Sequence, residues 1–578
     1  MLPITLKMLP VNYVGGSKNR RKHRKESPSL SQNEPFSRLS RRHLRRLSSR
    51  FSRTVRATIS ANLPFRWIAD PEVLRLLMML RSAIGDALPS PNQVSGTLLD
   101  LEEKRVTDNV KTILRGQYVT VSIDGWSDKA SVLGVDVSFD GKAYLVRSVS
   151  MKGRGKDGPA MCRTFIEMID WVELEYACNV VGFCCDNDGG SQKGRKLLRV
   201  ERPWLFNPPC CAHQGQLILA DYFKENRDGS QTSEETADML GWIRSHEKVR
   251  DIFDEVQVEK KGGEPLAYLV ANLTRWTTHT ISFHRTLSLK EPLRHAAILR
   301  CADILQAQLG AEKNKKKIAA VEKEVNRFCE LLDDPGYWKR LERVSEDIEP
   351  VCYITNINQA DNTRADQVLL GLAGVYLHFS RHPDPIVRAG MLARLEKRWE
   401  ALDQPMFLFA VILNPYEKTD RFGGEAAVSV FTLASILVEL YTRVKLRKLP
   451  DQDLSEVESR KQGEVRAAFM HYISGTGPFA DFETNQEVFS QTNGTDPILV
   501  WQTFRSVAQV SELAELAMIL LGLSVNQGGN ERDFSDWKVK RTRLRNRLSF
   551  TKTTKMSKTV FKKNGTHERI TMTTVSPN

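Results

Sequence analysis

The sequence predicts an α/β fold with a large all-α part, and three observations carry that expectation. Between residues 118 and 151, apolar residues alternate with polar ones at the two-residue period of strands. A helical stretch and then an apolar run at residues 180–185 follow, so strands and helix belong to one unit. From residue 291 to residue 497, apolar residues recur at helical spacing almost throughout, with Pro and Gly at the breaks. A chain of 578 residues has room for roughly three or four domains' worth of core.

Residues 1–60 carry fifteen Lys/Arg against two Asp/Glu. This basic arm is expected to lack structure of its own. It reads as solvated disorder, as a DNA-binding arm, or as nuclear-import signals in the Lys18 to Lys25 and Arg41 to Arg56 runs. Its Arg- and Ser-rich, acid-poor composition also resembles an organellar transit peptide. Residues 61–117 read as helical: Pro71-Glu72 opens an apolar-periodic stretch from Val73 to Leu80, Pro89-Ser90-Pro91 ends it, and Leu98 to Leu114 makes a second helix. After Gly116 the period changes. Tyr118 to Ile123 is rich in β-branched residues, and Leu133, Val135, Val137 and Phe139 alternate with Gly134, Asp136, Ser138 and Asp140. Asp140-Gly141 signals a type I′ hairpin turn, from which Ala143 to Met151 returns as a third strand. A helix over about Ala160 to Trp171 and an apolar strand from Val180 to Cys185 complete a β-β-β-α-β order.

That order, with Asp124 closing the first strand and Asp186 following the fourth, is the layout of the ribonuclease H-like fold, where these two strands lie side by side. Adjacent carboxylates repel unless a divalent cation lies between them, and all-oxygen ligands suit Mg²⁺ or Mn²⁺. Two such ions serve phosphoryl transfer. Aspartates are also common turn formers, so this pair alone leaves both readings open.

The net charge of +14 is concentrated at the ends. Residues 537–578 hold twelve basic and one acidic residue, whereas residues 61–536 hold 57 basic against 67 acidic. Two basic ends on a mildly acidic body suit a polyanion, nucleic acid first, because each phosphate neutralised releases counterions. All nine cysteines lie between Cys162 and Cys352, which excludes a zinc finger from the first 161 residues. No apolar run reaches the ~18–20 residues of a membrane span; the longest lies around Leu516 to Leu523. With no signal peptide read at the start, a reducing intracellular compartment, free thiols and no membrane partner are expected.

Five motifs then occur in register: Ser122-Ile123-Asp124-Gly125-Trp126-Ser127, Cys185-Asp186-Asn187, Cys210-Cys211-Ala212-His213, Thr274-Arg275-Trp276 and Glu531-Arg532-Asp533-Phe534-Ser535. In this order they resemble the hAT-superfamily transposases. The branch is the one whose catalytic portion begins with a transposase-like domain once catalogued without a function. The resemblance covers roughly residues 62–558. It implies a ribonuclease H-like core interrupted by a helical insertion, and an acidic triad of Asp124, Asp186 and Glu531 holding two Mg²⁺ or Mn²⁺ ions. It also implies metal-dependent cleavage at transposon ends, attack of a free 3′-hydroxyl on target DNA, a homo-oligomer that is at least a dimer, and nuclear localisation. Asp188 is a rival for the second carboxylate.

On the same resemblance His213 supports the active site or contacts DNA near the cleaved bond, and Cys210, Arg275 and Trp276 act at DNA. From the residues alone, Cys210 and His213 lack a second pair to complete a zinc site and read equally as packing at a helix start. Trp276 reads as a base-stacking platform beside a phosphate-binding Arg275, or as a buried anchor. Lys538, Lys540, Arg541, Arg543, Arg545 and Arg547 fall within ten residues, and some are expected to meet phosphate. Because Arg545-Asn546-Arg547-Leu548-Ser549 resembles the family's closing motif, the cluster is alternatively inherited framework. One departure stands out: the family usually has Asn four residues after the second aspartate, where this chain has Gly190, and Gly189-Gly190 is expected to loosen that loop.

The expected organisation is a basic arm (1–60), a helical segment (61–117), the first part of the core (118–290), a helical insertion (291–497), a C-terminal region completing the core and dimerising (498–550), and a basic tail (551–578). Trp501, Phe504, Leu513, Leu516 and Leu520 are expected to form core, and Glu531 to arrive on a helix after a Gly528-Gly529 turn with Asn530 as N-cap. The rival expectation is a catalytically inactive, transposon-derived DNA-binding and dimerisation protein.

Overall fold

Sheet topology follows from two local devices. In the computed structural model, which describes residues 52–559 except 81, 83, 85–87, 128–130, 272–277, 423–428, 447–455 and 542–547, the strands are β1 (Tyr118–Ser127), β2 (Ser131–Phe139), β3 (Lys142–Ser150) and β4 (Asn179–Cys185). Asp140 and Gly141 both take positive φ, 51° and 65°, as a type I′ turn requires, and β3 folds back antiparallel on β2. β4 is parallel to β1, and a parallel neighbour needs a crossover, supplied by the helix Gly158–Tyr176. Asp157 starts that helix by accepting from the Ala160 N–H at 2.9 Å. The spatial order is β3-β2-β1-β4. Residues 205–210 continue alongside β4 in a parallel sense, with bridges Gly182 to Phe206 and Cys185 to Pro209.

The described residues are 71% helical, and helices pack on both faces of this small mixed sheet. On one face Val119, Val121, Ile123, Val135, Val137 and Phe183 pack against Phe165, Met168 and Val172 of the crossover helix and against Val110 and Leu114 of the helix Thr97–Leu114. The polar positions of β2 are buried as well, because Gly134, Asp136 and Ser138 point to the opposite face, beneath the helix Gly528–Lys540. Among the described residues the helical remainder has two large cores, beside a smaller one of Val55, Ile59, Ile68, Val94, Leu99 and Met556. One gathers Trp242, Phe253, Phe283, Trp338 and Phe379. The other gathers Phe407, Phe409, Tyr472, Trp501, Leu513 and Leu520 and reaches the sheet through Val181 and Phe206.

The expected helices at 71–80 and 98–114 are present as Pro71–Leu80 and Thr97–Leu114. Pro89-Ser90-Pro91 does more than end a helix: Ser90 forms a capping box with Gln93 and starts the helix Pro91–Ser95. Residues 500–523 divide into Pro497–Phe504 and Ser511–Gly522, with Trp501, Leu513, Leu516 and Leu520 in the core as their spacing indicated. All nine cysteines are free thiols. Among the described residues, no helix is long and apolar enough to cross a membrane.

Candidate active site

Strand register brings the first two carboxylates together. Ser122 pairs with Cys184 and Ile123 with Cys185, so the following residues, Asp124 and Asp186, are neighbours across strands spaced roughly 4.8 Å apart. Ile123 and Cys185 point into the core beneath the crossover helix. Side chains alternate along a strand, so the two aspartates belong to the opposite face. The helix Cys211–Glu225 brings His213 to the same place, with Nδ1 3.3 Å from Asp186 Oδ1.

The C-terminal segment crosses that face. Ser524 N–H donates to Thr120 Oγ1 at 3.1 Å, 404 positions away in sequence. The Val525 carbonyl accepts from Cys211 N–H at 2.8 Å, and Gln527 Nε2 donates to the Ile123 carbonyl, immediately before Asp124. These bonds fix the start of the helix Gly528–Lys540. Asn530 is not its N-cap, as the sequence suggested; Gln527 occupies that place, and Asn530 is buried inside the first turn with Nδ2 donating to the Gly134 carbonyl at 3.3 Å. Gly528 and Gly529 belong to the helix rather than to a turn before it. A Cβ on Gly529 would stand 2.7 Å from both Ala143 Cβ and Asp136 Oδ2, so only glycine allows the helix this close to the sheet. Phe534 stacks on Trp126 at 6.2 Å, Trp537 meets the same ring edge-on at 5.8 Å, and Arg532 holds Asp361 and the Gln359 carbonyl. The Phe of the Glu-Arg-x-Phe-Ser motif is thus a docking residue that holds Glu531 over the sheet.

Asp124 and Glu531 each feel the charge of Asp186. Burial pushes the Asp124 carboxyl up to about 7; the Gly125 N–H opposes this, and the charges of Asp186, Glu531 and Asp188 add to it. Burial likewise raises Glu531 to about 7, against the pull of Arg532 and with a further push from Asp186. A set of carboxylate oxygens fits a hard divalent cation, and such a charge would relieve this repulsion. As the side chains stand, no three His, Cys, Asp or Glu residues among the described residues are grouped closely enough to hold one ion.

Several neighbouring expectations are revised by packing. Asp188 is committed as the N-cap of the helix Gly189–Glu201, accepting from Gly190 and Ser191 N–H at 2.9 Å each and from Ser191 Oγ at 2.8 Å. Asp186, by contrast, faces His213. Gly189-Gly190 is not a loosened loop but the first turn of that helix; a Cβ on Gly190 would lie 2.2 Å from the Lys156 carbonyl oxygen. Cys210 is buried against Cys184 and Ala212, which makes it a packing residue with no surface for DNA. Lys540 is fully buried, bonded to Asp536 and to Ser557 Oγ at 3.2 Å, and so offers nothing to a phosphate. Lys538 is exposed, and the Arg541 guanidinium lies 6.0 Å from the centre of the Trp126 ring. Arg275, Trp276, Arg543, Arg545 and Arg547 lie outside the described residues. Sequence reasoning passed over Gln527 and Asn530 as anchors of the Glu531 helix; their signal was a cluster of side-chain amides around a glycine pair.

Residues 89–257 match a family model described as a domain of unknown function (DUF659). That family is found in hAT-type transposase-like proteins. The matched segment carries Asp124, Asp186, Cys210 and His213, and ends well before Glu531. A search of the curated proteins gave no match.

Proposed function

We propose that this chain is a hAT-type DNA transposase or a derivative of one, built on a ribonuclease H-like core whose carboxylates cut and join DNA strands at transposon ends. The observation that carries the reading is the convergence of Asp124, Asp186 and Glu531, from two adjacent strands and a helix some four hundred residues later, on one face of the sheet. In this reading the core comprises residues 118–290 and 498–550, interrupted by the insertion at 291–497. The substrate is DNA, the working form is a homo-oligomer and the place of action is the nucleus.

Asp124, Asp186 and Glu531 would hold Mg²⁺ or Mn²⁺, which when bound lowers the barrier to deprotonating the attacking water or 3′-hydroxyl and stabilises the leaving oxygen. The protein's own part is placement. Gln527 and Asn530 fix the Glu531 helix on β1 and β2, and His213 orients Asp186 from behind, as outer partners of metal ligands do. Asp124 and Glu531 are poised to give up protons when a positive charge arrives, because burial, with a further push from Asp186, raises both into the neutral range.

A second reading, a DNA-binding derivative that no longer cleaves, needs only the basic ends of the chain to meet phosphate. One experiment separates the two. Full-length protein is incubated with Mn²⁺ and DNA ends taken from the flanks of its gene, wild type beside Glu531→Gln. Cleavage by the wild type alone supports catalysis; equal cleavage by both removes Glu531 from the mechanism; salt-sensitive binding without cleavage establishes the second reading.

A further inference from the structure

A groove of about 450 Å³ lies between the helices Gly189–Glu201 and Pro385–Glu400, and it begins at Asn187, the residue after Asp186. Arg195, Lys196 and Arg199 line it from the first helix and Arg394, Lys397 and Arg398 from the second; Asp221 and Glu400 are its acidic residues. This surplus of positive charge sits in the part of the chain whose overall balance is acidic, so it is a local arrangement rather than a reflection of composition.

The six cations fall into two sets. Arg394 and Arg398 are committed to Glu225 and Asp221, at 2.9 and 3.0 Å, and Arg199 lies 3.6 Å from Asp403. They stiffen the walls. Arg195 is clamped instead by neutral groups: Nη2 donates to Asn187 Oδ1 at 2.8 Å, Nη1 donates to the Asn207 carbonyl at 3.4 Å, and Asn207 Nδ2 donates back to the Arg195 carbonyl at 2.9 Å. Its charge is held in place and left uncompensated. Lys196 and Lys397 are exposed on opposite walls, and neither makes an ion pair among the described residues. One clamped cation and one exposed cation on each helix suit successive phosphates of a strand better than a single small anion, for which donors would converge on one point. Asn187 and Gln214, the chain neighbours of Asp186 and His213, are among its lining residues.

We propose that this groove holds the sugar-phosphate backbone of the DNA strand entering the carboxylate site, with Arg195, Lys196 and Lys397 as its phosphate contacts. The inference rests on the nucleic-acid reading above but not on cleavage. It is tested with full-length protein and a fluorescently labelled DNA duplex of arbitrary sequence in EDTA, by following anisotropy as salt is raised. The basic termini contribute equally to every variant, so differences report the groove. Lys196→Gln/Lys397→Gln should lower the slope of log K against log salt by about 1.8 and weaken binding at ~0.1 M salt by on the order of tenfold. Lys196→Arg/Lys397→Arg should restore both. Lys315→Gln/Lys316→Gln, on an exposed helix start elsewhere, should change neither. Both lysines are exposed, so melting curves should coincide. An unchanged slope in the Gln pair, with wild-type binding intact, overturns the groove and leaves the carboxylate reading standing. No binding by the wild type overturns both.

Discussion

Replacing Gly190 by Asn, the residue that hAT-type proteins usually carry four positions after the second aspartate, should weaken this protein rather than restore it. A Cβ at Gly190 would lie 2.2 Å from the Lys156 carbonyl oxygen, against roughly 3.5 Å for an ordinary heavy-atom contact. Both atoms are fixed to backbone, so the shortfall of about 1.3 Å must be met by moving the loop or the helix. Overpacking of this kind costs ~1–3 kcal/mol. The neighbouring Gly189 is the internal control: a Cβ there meets no atom within 4 Å, and Gly189→Ala should be neutral or more stable by ~0.5–1 kcal/mol because the unfolded chain loses freedom. The two adjacent alanine variants should therefore differ by about 1–4 kcal/mol. Amide hydrogen exchange along Gly189–Glu201 is the assay, since it reads local opening without requiring a chain of this size to unfold in two states. Gly190→Ala and Gly190→Asn should lose protection there, and Gly189→Ala should keep it. Cleavage, where present, should fall on the order of 10²-fold with the Gly190 variants, because Asp186 is four residues from the displaced turn. Equal protection in Gly189→Ala and Gly190→Ala would refute the reasoning.

Further outcomes follow from the same geometry. Lys540→Gln should destabilise the protein by ~1–3 kcal/mol, because Asp536 and Ser557 lose a buried donor, yet leave the salt slope of DNA binding unchanged; a reduced slope would mean that Lys540 does reach phosphate. Trp537→Ala should cost ~3–5 kcal/mol and loosen the Glu531 helix from Trp126, read as lost near-ultraviolet dichroism together with lost cleavage; retained dichroism would argue against that aromatic anchor. Burial raises the Glu102 carboxyl, but donation from Arg105, Ser52 and Arg56 prevails and holds it at about 2. Since its folded value lies below its ordinary one, the stability it contributes is present above about pH 4.5 and is lost as pH falls towards 2. The total is on the order of 2–3 kcal/mol. Glu102→Gln should flatten this acid limb in urea unfolding, and an identical pH dependence in the variant would show that other groups carry it.

Local chemistry made much of this legible before any tertiary contact. The two-residue alternation and the Asp140-Gly141 turn are determined by neighbours in sequence and give the strand order, while the expectation that Asp124 and Asp186 end adjacent strands came from the ribonuclease H-like layout of that order. The docking of Glu531 was readable only through the hAT resemblance, because nothing local ties residue 531 to residue 124. Only the tertiary structure showed that Asp188 is engaged at a helix N-terminus while Asp186 faces His213. It alone showed that Gly190 is held by a carbonyl from residue 156, that Cys210 and Lys540 are buried, and that Asn530 is an anchor rather than a cap. The basic groove was likewise invisible, since its walls are some two hundred positions apart and each alone reads as an ordinary charged helix. Periodicity and turn chemistry are set by residues within a few positions of one another. Burial, close approach and the pairing of charges are set by whatever the fold brings alongside, and that information is not local.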